Sequence, residues 1–468
     1  MARVCHVVLT FVDTSITLDG SGECRGVVVE KNALPVVVIG AGPQGLAAAA
    51  HLAERNVPAV VLEAGDGPAA AVAEWGHVRL FSGWPELIDA AGARVLAGTG
   101  WTAPATGYPT GAQWISGYLA PLAATLGDRI RYGARVVGVS RLGRDRLVDA
   151  GRGEQPFTVH VQPAEGEEYR LQARAVIDAS GTWSTPNPAG ADGLPALGET
   201  ATADLLSYRI PDFRDRAGFE GKHTVVIGSG HSAITAVLAL ARMARRDPHT
   251  TVTWALRRAT AGNAFGGGDA DELPARGALG ATAKEYVDAG LVSLVTGFRV
   301  ERVTCEGERP VLIAEDGRTL TADRVVVLTG FRPDLSFLSE LRLELDPTLQ
   351  APVRIAAEVD PNVHSCGSVA ATGAADLAQP EPDFYLVGAK SYGRAPTFLA
   401  LTGYEQVRSV VAELAGDHEA ARRVELALPD TGVCGGAGLF DASGASLGGS
   451  CCAVPSQVLQ IGRAPASV

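Results

Sequence analysis

The stretch VVVIGAGPQGLAAAAHLAERNVPAVVLEA, residues 36 to 64, decides the fold. By hydrophobicity alone it approaches a membrane span, which needs about 20 apolar residues. Gly40, Ala41, Gly42 and Pro43 break it in the middle. Ahead of the break stand four β-branched residues, Val36 to Ile39, the composition of a buried parallel strand. Behind it an alanine-rich helical segment runs to His51, Glu54 and Arg55, and a second strand, Ala59 to Leu62, follows. The order is strand, tight turn, helix, strand, with Gly40, Gly42 and Gly45 in the glycine places of G-x-G-x-x-G.

The spacing has a chemical reason. Gly40 permits the turn, Gly42 lets a pyrophosphate approach the backbone, and Gly45 lets helix and strand close up. Pro43 and Gln44 open the helix, whose free N–H groups and positive dipole end face the phosphates. Glu63 ends the second strand, where an acid accepts from ribose hydroxyls, and Ala64 follows it. The alternative is a buried glycine turn without a ligand.

Residues 224 to 235, TVVIGSGHSAIT, repeat the pattern. Strand residues Thr224 to Ile227 lead into Gly228, Ser229, Gly230, His231, Ser232 and Ala233, the last a small residue in the third glycine place. The strand after the next helix, Thr251 to Leu256, ends in Arg257 and Arg258 instead of an acid. Arginines pair with a 2′-phosphate, so this site is expected to prefer NADPH to NADH. An ordinary basic turn is the alternative. An acid-ended site and an arginine-ended site in one chain suit a tightly held FAD and an exchangeable NADPH.

The whole chain fits this reading. With 468 residues it has room for two or three domains. It is 46% apolar and 20% charged with a net charge of −12, which favours neither nucleic acid nor an anionic membrane surface. Its seven cysteines form no C-x-x-C or zinc-type pair, so no disulfide framework or structural zinc is indicated. Residues 1–34 suit no signal peptide and are expected to be an extension irrelevant to the fold, or else a small edge strand. The protein is expected to be cytoplasmic.

With both glycine motifs in place, the sequence resembles the two-dinucleotide-binding-domain flavoproteins, and within them the flavin-containing monooxygenases. The likeness covers roughly residues 35 to 425. DASGTWSTPNPAG, residues 178–190, is similar to that family's first crossing between domains, with Ser180 and Gly181 as its T-G pair. VVVLTGFRPDLSFL, residues 325–338, resembles the return crossing through Thr329 and Gly330. AVAEWGHVRLFSGWPELID, residues 71–89, lies where the family runs along the flavin, which makes His77 and Arg79 catalytic candidates. FGGGDADELPARG, residues 265–277, falls where a loop of the NADPH domain is expected.

There are departures. The monooxygenase signature F-x-G-x-x-x-H aligns with ALGETAT, residues 196–202, where Gly198 fits but Ala196 and Thr202 replace the aromatic and the histidine. Related reductases end their late FAD segment in an acid. Here FYLVGAKSYGRAP, residues 384–396, has Ala389 in that place, so Asp383 or Asp376 is expected to serve the ribityl chain. Lys390, Tyr392 and Arg394 are further candidates. Residues 401–415 carry Tyr404, Val407, Val411 and Leu414 at helical spacing, a closing amphipathic helix.

The expected fold is α/β, with two Rossmann-like dinucleotide-binding domains. An NADPH domain (191–324) is inserted in a discontinuous FAD domain (35–190 and 325–425), and a Gly/Ser/Cys tail follows (426–468). The resemblance implies an FAD- and NADPH-dependent monooxygenase that oxygenates a small soft nucleophile (sulfur, nitrogen or a metalloid) through a flavin C4a-hydroperoxide. Its partners are a small-molecule substrate and oxygen, with no nucleic acid and no membrane span; a dimer is compatible with the sequence. The alternatives are an NADPH-dependent reductase without the usual dithiol and a redox-silent nucleotide sensor. The tail holds Cys434, Cys451 and Cys452, thiolates of the kind that bind soft metalloids. In arrangement it is similar to the C-terminal cysteines of mercuric reductases, and the chain to a monooxygenase-like subgroup found with arsenic-resistance genes.

Overall fold

Val36–Ile39 form β1, a strand buried at all four positions. Ala59–Leu62 form β2, which pairs with it in parallel, Val36 opposite Ala59 and Ile39 opposite Leu62. The structure is a computed structural model that describes residues 31–265, 274–361, 371–396 and 398–426. Between the two strands runs the helix Pro43–Glu54. Ala47, Ala48, Ala49 and Ala50 are fully buried in it. Small side chains let this helix lie close both to the sheet and to the closing helix Ala400–Leu414.

Strand β3 (Ile130–Arg131) extends the sheet beyond β2. The chain next makes an antiparallel trio, β4 (Ala134–Arg141), β5 (Phe157–Pro163) and β6 (Tyr169–Ala173). It then returns as β7 (Ala175–Asp178), parallel to β1 on its other side. A second sheet is built on the same plan. β8 (Leu206–Ser207), β9 (His223–Ile227), β10 (Thr251–Ala255) and β11 (Ser293–Val295) are followed by another antiparallel trio. The trio is β12 (Val300–Glu306), β13 (Arg309–Ala314) and β14 (Thr319–Thr321), and β15 (Arg324–Val327) follows. The second sheet has the order β11-β10-β9-β15-β8. Finally β16 (Phe384–Leu386) completes the first sheet as β16-β7-β1-β2-β3.

In each sheet the glycine turn leaves a central strand, β1 or β9, whose neighbours on the two sides are reached by connections running in opposite senses. That is the switch point where open α/β sheets leave a crevice at the carboxyl ends of their strands. The architecture is the expected one, with the second sheet inserted in the first. One boundary moves. β15 pairs with β9 and β8, so the return crossing starts after Val327 rather than at residue 325.

Two other expectations change. Lys31–Ala33 form a short 3-10 helix, and Lys31 Nζ reaches Asp383 at 2.9 Å and the Gly153 carbonyl at 3.0 Å. The end of the supposed extension therefore belongs to the first domain; residues 1–30 lie outside the described residues. The closing helix is not simply amphipathic. Its polar side is covered too, because Arg408 pairs with Glu405 and donates to the Ala420 carbonyl of the short helix His418–Arg422. Among the described residues no helix is long and apolar enough to cross a membrane.

Candidate active site

The first cradle forms where β1 runs into its helix. Gly40 has φ +96°, and a Cβ there would come within 3.0 Å of the Ala179 carbonyl oxygen. At Gly45 a Cβ would overlap the Gly40 carbonyl oxygen. At Gly42 a Cβ would meet no atom within 4 Å. Gly42 therefore faces open space, and its helix starts at Pro43 with no side-chain cap. The first-turn N–H groups point into that space, as an anion site requires. Glu63 is held beside it: Oε2 accepts from the Ala41 N–H at 2.6 Å and Oε1 from the Gly65 N–H at 2.8 Å. Ala64 next to it is exposed.

The crossing out of β7 contains an ion pair that the sequence did not announce. Asp178 Oδ1 accepts from Ser180 N–H at 3.0 Å and from Ser180 Oγ at 2.6 Å. Asp178 Oδ2 accepts from Lys390 Nζ at 2.8 Å, and Lys390 also donates to Ser180 Oγ at 2.9 Å. Both charged side chains are buried. Lys390, a catalytic candidate from the sequence, holds the crossing through these contacts. An aspartate in the otherwise apolar strand AVID was the available signal, since a buried charge demands a partner. Gly181 follows with φ +68°.

Asp383 is corrected outright. It precedes β16, at the amino end of the parallel strands, and pairs with Lys31. The cradle lies at their carboxyl ends, a strand length away. Asp376 caps its own short helix by accepting the Gly373 N–H at 2.9 Å. Tyr392 is buried edge-on to Phe398, and Arg394 Nε donates to Gln350 Oε1 at 2.9 Å.

Segment 71–89 joins the two halves. His77 Nε2 lies 3.1 Å from the Ile210 carbonyl oxygen, and Trp183 Nε1 donates to Glu74 Oε2 at 2.9 Å. Arg209 stacks over Trp183 at 4.8 Å and pairs with Glu74 at 3.2 Å. The rings of Phe81 and His231 stand 5.4 Å apart, which brings segment 71–89 to the start of the second glycine helix. Arg79 is exposed and donates to the Tyr108 carbonyl. It borders an open cleft of about 430 Å³ with Trp84, Tyr108, Gln113 and Ser116.

The second cradle copies the first. Gly228 has φ +128°, and a Cβ would overlap the Leu328 carbonyl. Its own carbonyl accepts from buried Trp254 Nε1 at 2.7 Å, a support that no spacing rule announces. At Gly230 a Cβ would again meet nothing within 4 Å, and the 14-residue helix His231–Ala244 starts there without a side-chain cap. Ser229 and Ser232 are half-buried around it, and Ala233 is fully buried. Beyond β10, Arg257 Nη1 donates to the Ala191 carbonyl at 2.7 Å. Partial burial, and then nearby Arg299, lower the Arg257 pKa; partial burial and then Arg257 lower that of Arg258. Crowded guanidiniums repel one another, and a bound phosphate relieves this. Arg299 is a third cation here that the sequence reading missed.

Thr329 and Gly330 stand in the return crossing, and the Thr329 backbone N lies 3.4 Å from where a Cβ on Gly228 would be, beside the second cradle. Thr329 Oγ1 donates to the Asn187 carbonyl at 2.8 Å, and the Asn187 N–H donates to the Gly330 carbonyl at 2.9 Å. The Arg332 N–H donates to the Thr185 carbonyl at 2.9 Å, and Pro186 bridges Phe331 in antiparallel fashion. The two crossings thus form one short ribbon. The ALGETAT segment is built around buried Glu199, which accepts from the Ala189 and Ala196 N–H groups and from Tyr208 OH. Burial, then this carboxylate, push the Tyr208 phenol up. Of the expected loop 265–277, Phe265 ends a short 3-10 helix and residues 274–277 already belong to the helix Pro274–Asp288, so both ends are helical. Residues 266–273 and the tail with Cys434, Cys451 and Cys452 lie outside the described residues.

Two open glycine cradles at uncapped helix starts fit the pyrophosphates of two dinucleotides. The geometry defines a protein with two dinucleotide-binding domains. More narrowly, the chain belongs to the pyridine nucleotide-disulphide oxidoreductase family, whose model matches residues 34–388. It is similar to the indole-3-pyruvate monooxygenase YUCCA1 of Oryza sativa subsp. japonica, 30% identical over 206 residues, 44% of this chain and 45% of that protein. The match thus spans less than half of the plant protein's length. It is also similar to a ferredoxin–NADP reductase of Gluconacetobacter diazotrophicus, 27% identical over 349 residues, 72% of this chain and 84% of that protein. Among solved structures, the bacillithiol disulfide reductase Bdr (YpdA) of Bacillus cereus matches with a TM-score of 0.62 at 18% identity, over 82% of this chain and 99% of that one. DfoA bound to FAD, a cadaverine monooxygenase of Erwinia amylovora, matches with a TM-score of 0.57 at 13% identity, over 85% and 98%. Membership makes the chain a flavin-dependent oxidoreductase using FAD and NADP(H).

Proposed function

We propose that this oxidoreductase is an NADPH- and FAD-dependent monooxygenase for a small soft nucleophile, at sulfur, nitrogen or a metalloid. The reaction balances as NADPH, a proton, O₂ and the nucleophile giving NADP⁺, water and the oxygenated nucleophile. Bound FAD supplies the acceptance of hydride and the activation of oxygen. The chain's residues do the rest. The Gly42 and Gly230 cradles hold the pyrophosphates, Glu63 takes the ribose of FAD, and Arg257 and Arg258 take the 2′-phosphate of NADPH. The Phe81–His231 contact sets one half against the other.

The observation that carries the reading is the pair of cradles, whose halves meet at Phe81–His231, in a sequence without C-x-x-C. Among the described residues the one cysteine is Cys305, exposed on β12, and the sequence has no C-x-x-C. The plant relative's name supports an oxygenase. A second reading, a reductase using another electron acceptor, is favoured by the ferredoxin–NADP reductase relative, which matches more of the chain.

One experiment separates them. The protein is reduced with NADPH without air and mixed with oxygenated buffer while absorbance is followed. The oxygenase reading expects a lasting transient, distinct from both reduced and oxidised flavin, that added nucleophile discharges with one oxygen atom from O₂ in the product. Single-step reoxidation releasing one peroxide per NADPH, whatever nucleophile is offered, overturns it in favour of the reductase.

A further inference from the structure

The two glycine turns correspond residue for residue, yet they are pinned differently. In the first sheet Val38 stands opposite Val61 and Ile39 opposite Leu62, and Glu63 follows. In the second, Val226 stands opposite Trp254 and Ile227 opposite Ala255. Leu256 therefore takes the place of Glu63, and Trp254 that of Val61. Glu63 pins the first turn by accepting the Ala41 N–H at 2.6 Å. Leu256 is buried and has nothing to accept with. The second turn is held by the other edge of the same peptide group: the Gly228 carbonyl oxygen accepts from Trp254 Nε1 at 2.7 Å. Trp254 is fully buried. The third glycine place accounts for the change of edge. A Cβ on Gly45 would sit 1.8 Å from the Gly40 carbonyl oxygen. Ala233 carries such a Cβ, which closes the corresponding position to the Gly228 carbonyl. The turns differ accordingly, with φ +96° at Gly40 and +128° at Gly228. A carbonyl displaced toward the core needs a donor there, and the indole is that donor.

We propose that Trp254 is a positioning residue for NADPH. Its N–H fixes the Gly228–Ser229 peptide, and with it the open turn at Gly230, in the shape that receives the pyrophosphate. The inference rests on the assignment of that cradle to NADPH. A carboxylate in the Glu63 place would pin the turn but repel the 2′-phosphate assigned to Arg257 and Arg258. Leu256 removes the charge and the pin together. Trp254 restores the pin with a neutral donor from the same strand, β10. It touches no ligand and acts through the turn. Without the indole N–H the peptide is free to turn its carbonyl outward to water, and the cost of turning it back falls on binding.

The test is calorimetric titration of the FAD-loaded protein with NADP⁺ and with 2′-AMP, which carries the adenine and the 2′-phosphate but no pyrophosphate. Trp254→Phe keeps an aromatic ring in the core and removes the N–H. It is expected to bind NADP⁺ about tenfold more weakly than wild type and 2′-AMP equally well. Replacing the indole of Trp254 by benzothiophene, the same shape with sulfur for N–H, gives the same pattern and serves if phenylalanine disturbs the packing. Arg257 and Arg258 follow β10 closely, so a variant that merely loosens this strand weakens both ligands alike, and that result overturns the proposal. Unchanged NADP⁺ affinity in the variant, whatever the loss of urea stability, overturns it as well. Wild-type protein that binds neither ligand refutes the cradle assignment itself, a different failure and one visible before any variant is made.

Discussion

Lys390→Met removes the cation from a pair in which Lys390 is 1% and Asp178 0% exposed. Asp178 keeps the two bonds from Ser180 but loses the ammonium at 2.8 Å, and no water reaches it in exchange. Breaking one side of a buried pair costs about 3–5 kcal/mol, because a charge is left uncompensated. Replacing both groups, as Asp178→Leu with Lys390→Met, removes that penalty and is expected to recover most of the loss. The assay is urea unfolding followed by flavin release, which reports the first sheet rather than the whole two-sheet chain. A single variant within about 1 kcal/mol of wild type, or a double variant as weak as the sum of its parts, refutes the buried-pair account. The same variant also tests catalysis. If Lys390 only holds the crossing, the rate of flavin reduction by NADPH in folded Lys390→Met stays within a few-fold of wild type. A collapse of that rate with unchanged stability would restore Lys390 as a catalytic group.

Gly42→Ala should leave the flavin-free protein within about 0.5 kcal/mol of wild type, since its Cβ meets no protein atom, yet abolish tight FAD binding, as read by flavin content. Gly45→Ala should instead destabilise the fold by about 1–3 kcal/mol, because its Cβ overlaps the Gly40 carbonyl; the two variants behaving alike would contradict the cradle. Replacing Arg257 and Arg258 together with alanine should lower the NADPH-over-NADH ratio of kcat/KM by about tenfold or more, and an unchanged ratio would sink the 2′-phosphate assignment. Glu381 tests the acid limb of stability. Burial alone would raise its pKa, but Arg152, Arg141 and the Arg342 N–H outweigh it and hold the carboxyl below its usual value. Its contribution is therefore present above the ordinary glutamate range near about 4.3 and is lost as pH falls through the lower folded value. Urea midpoints of wild type and Glu381→Gln should converge between about pH 5 and pH 3, and parallel curves would contradict the sign.

Both central strands and their glycine turns were legible in the sequence because they rest on local rules: β-branched runs, fixed glycine spacing and a small residue in the third place. The antiparallel trios β4–β6 and β12–β14 were not, since half-buried strands such as Val300–Glu306 carry no motif and find their register only through partners. Contacts distant in sequence were invisible for the same reason. Lys390 meets Asp178 across 212 positions, and Arg141 meets Glu381 across 240. Asp383 misled because motif spacing says how far along the chain a residue lies and nothing about which end of a strand it occupies. The burial of Gln44 has no trace in sequence, because it depends on the absence of two side chains, at Gly388 and Gly403, far along the chain.

The two crossings between the sheets are hydrogen-bonded to each other through Thr185–Asn187 and Gly330–Arg332. Mechanically the inserted domain is therefore not hung on two independent strings. A narrow two-stranded ribbon yields to torsion about its length far more readily than to bending within its plane. The paired crossings therefore favour a swivel about the ribbon's length over other relative movements of the two halves. Such a swivel would have to part the Phe81 and His231 rings, 5.4 Å apart, and the His77 contact with the Ile210 carbonyl.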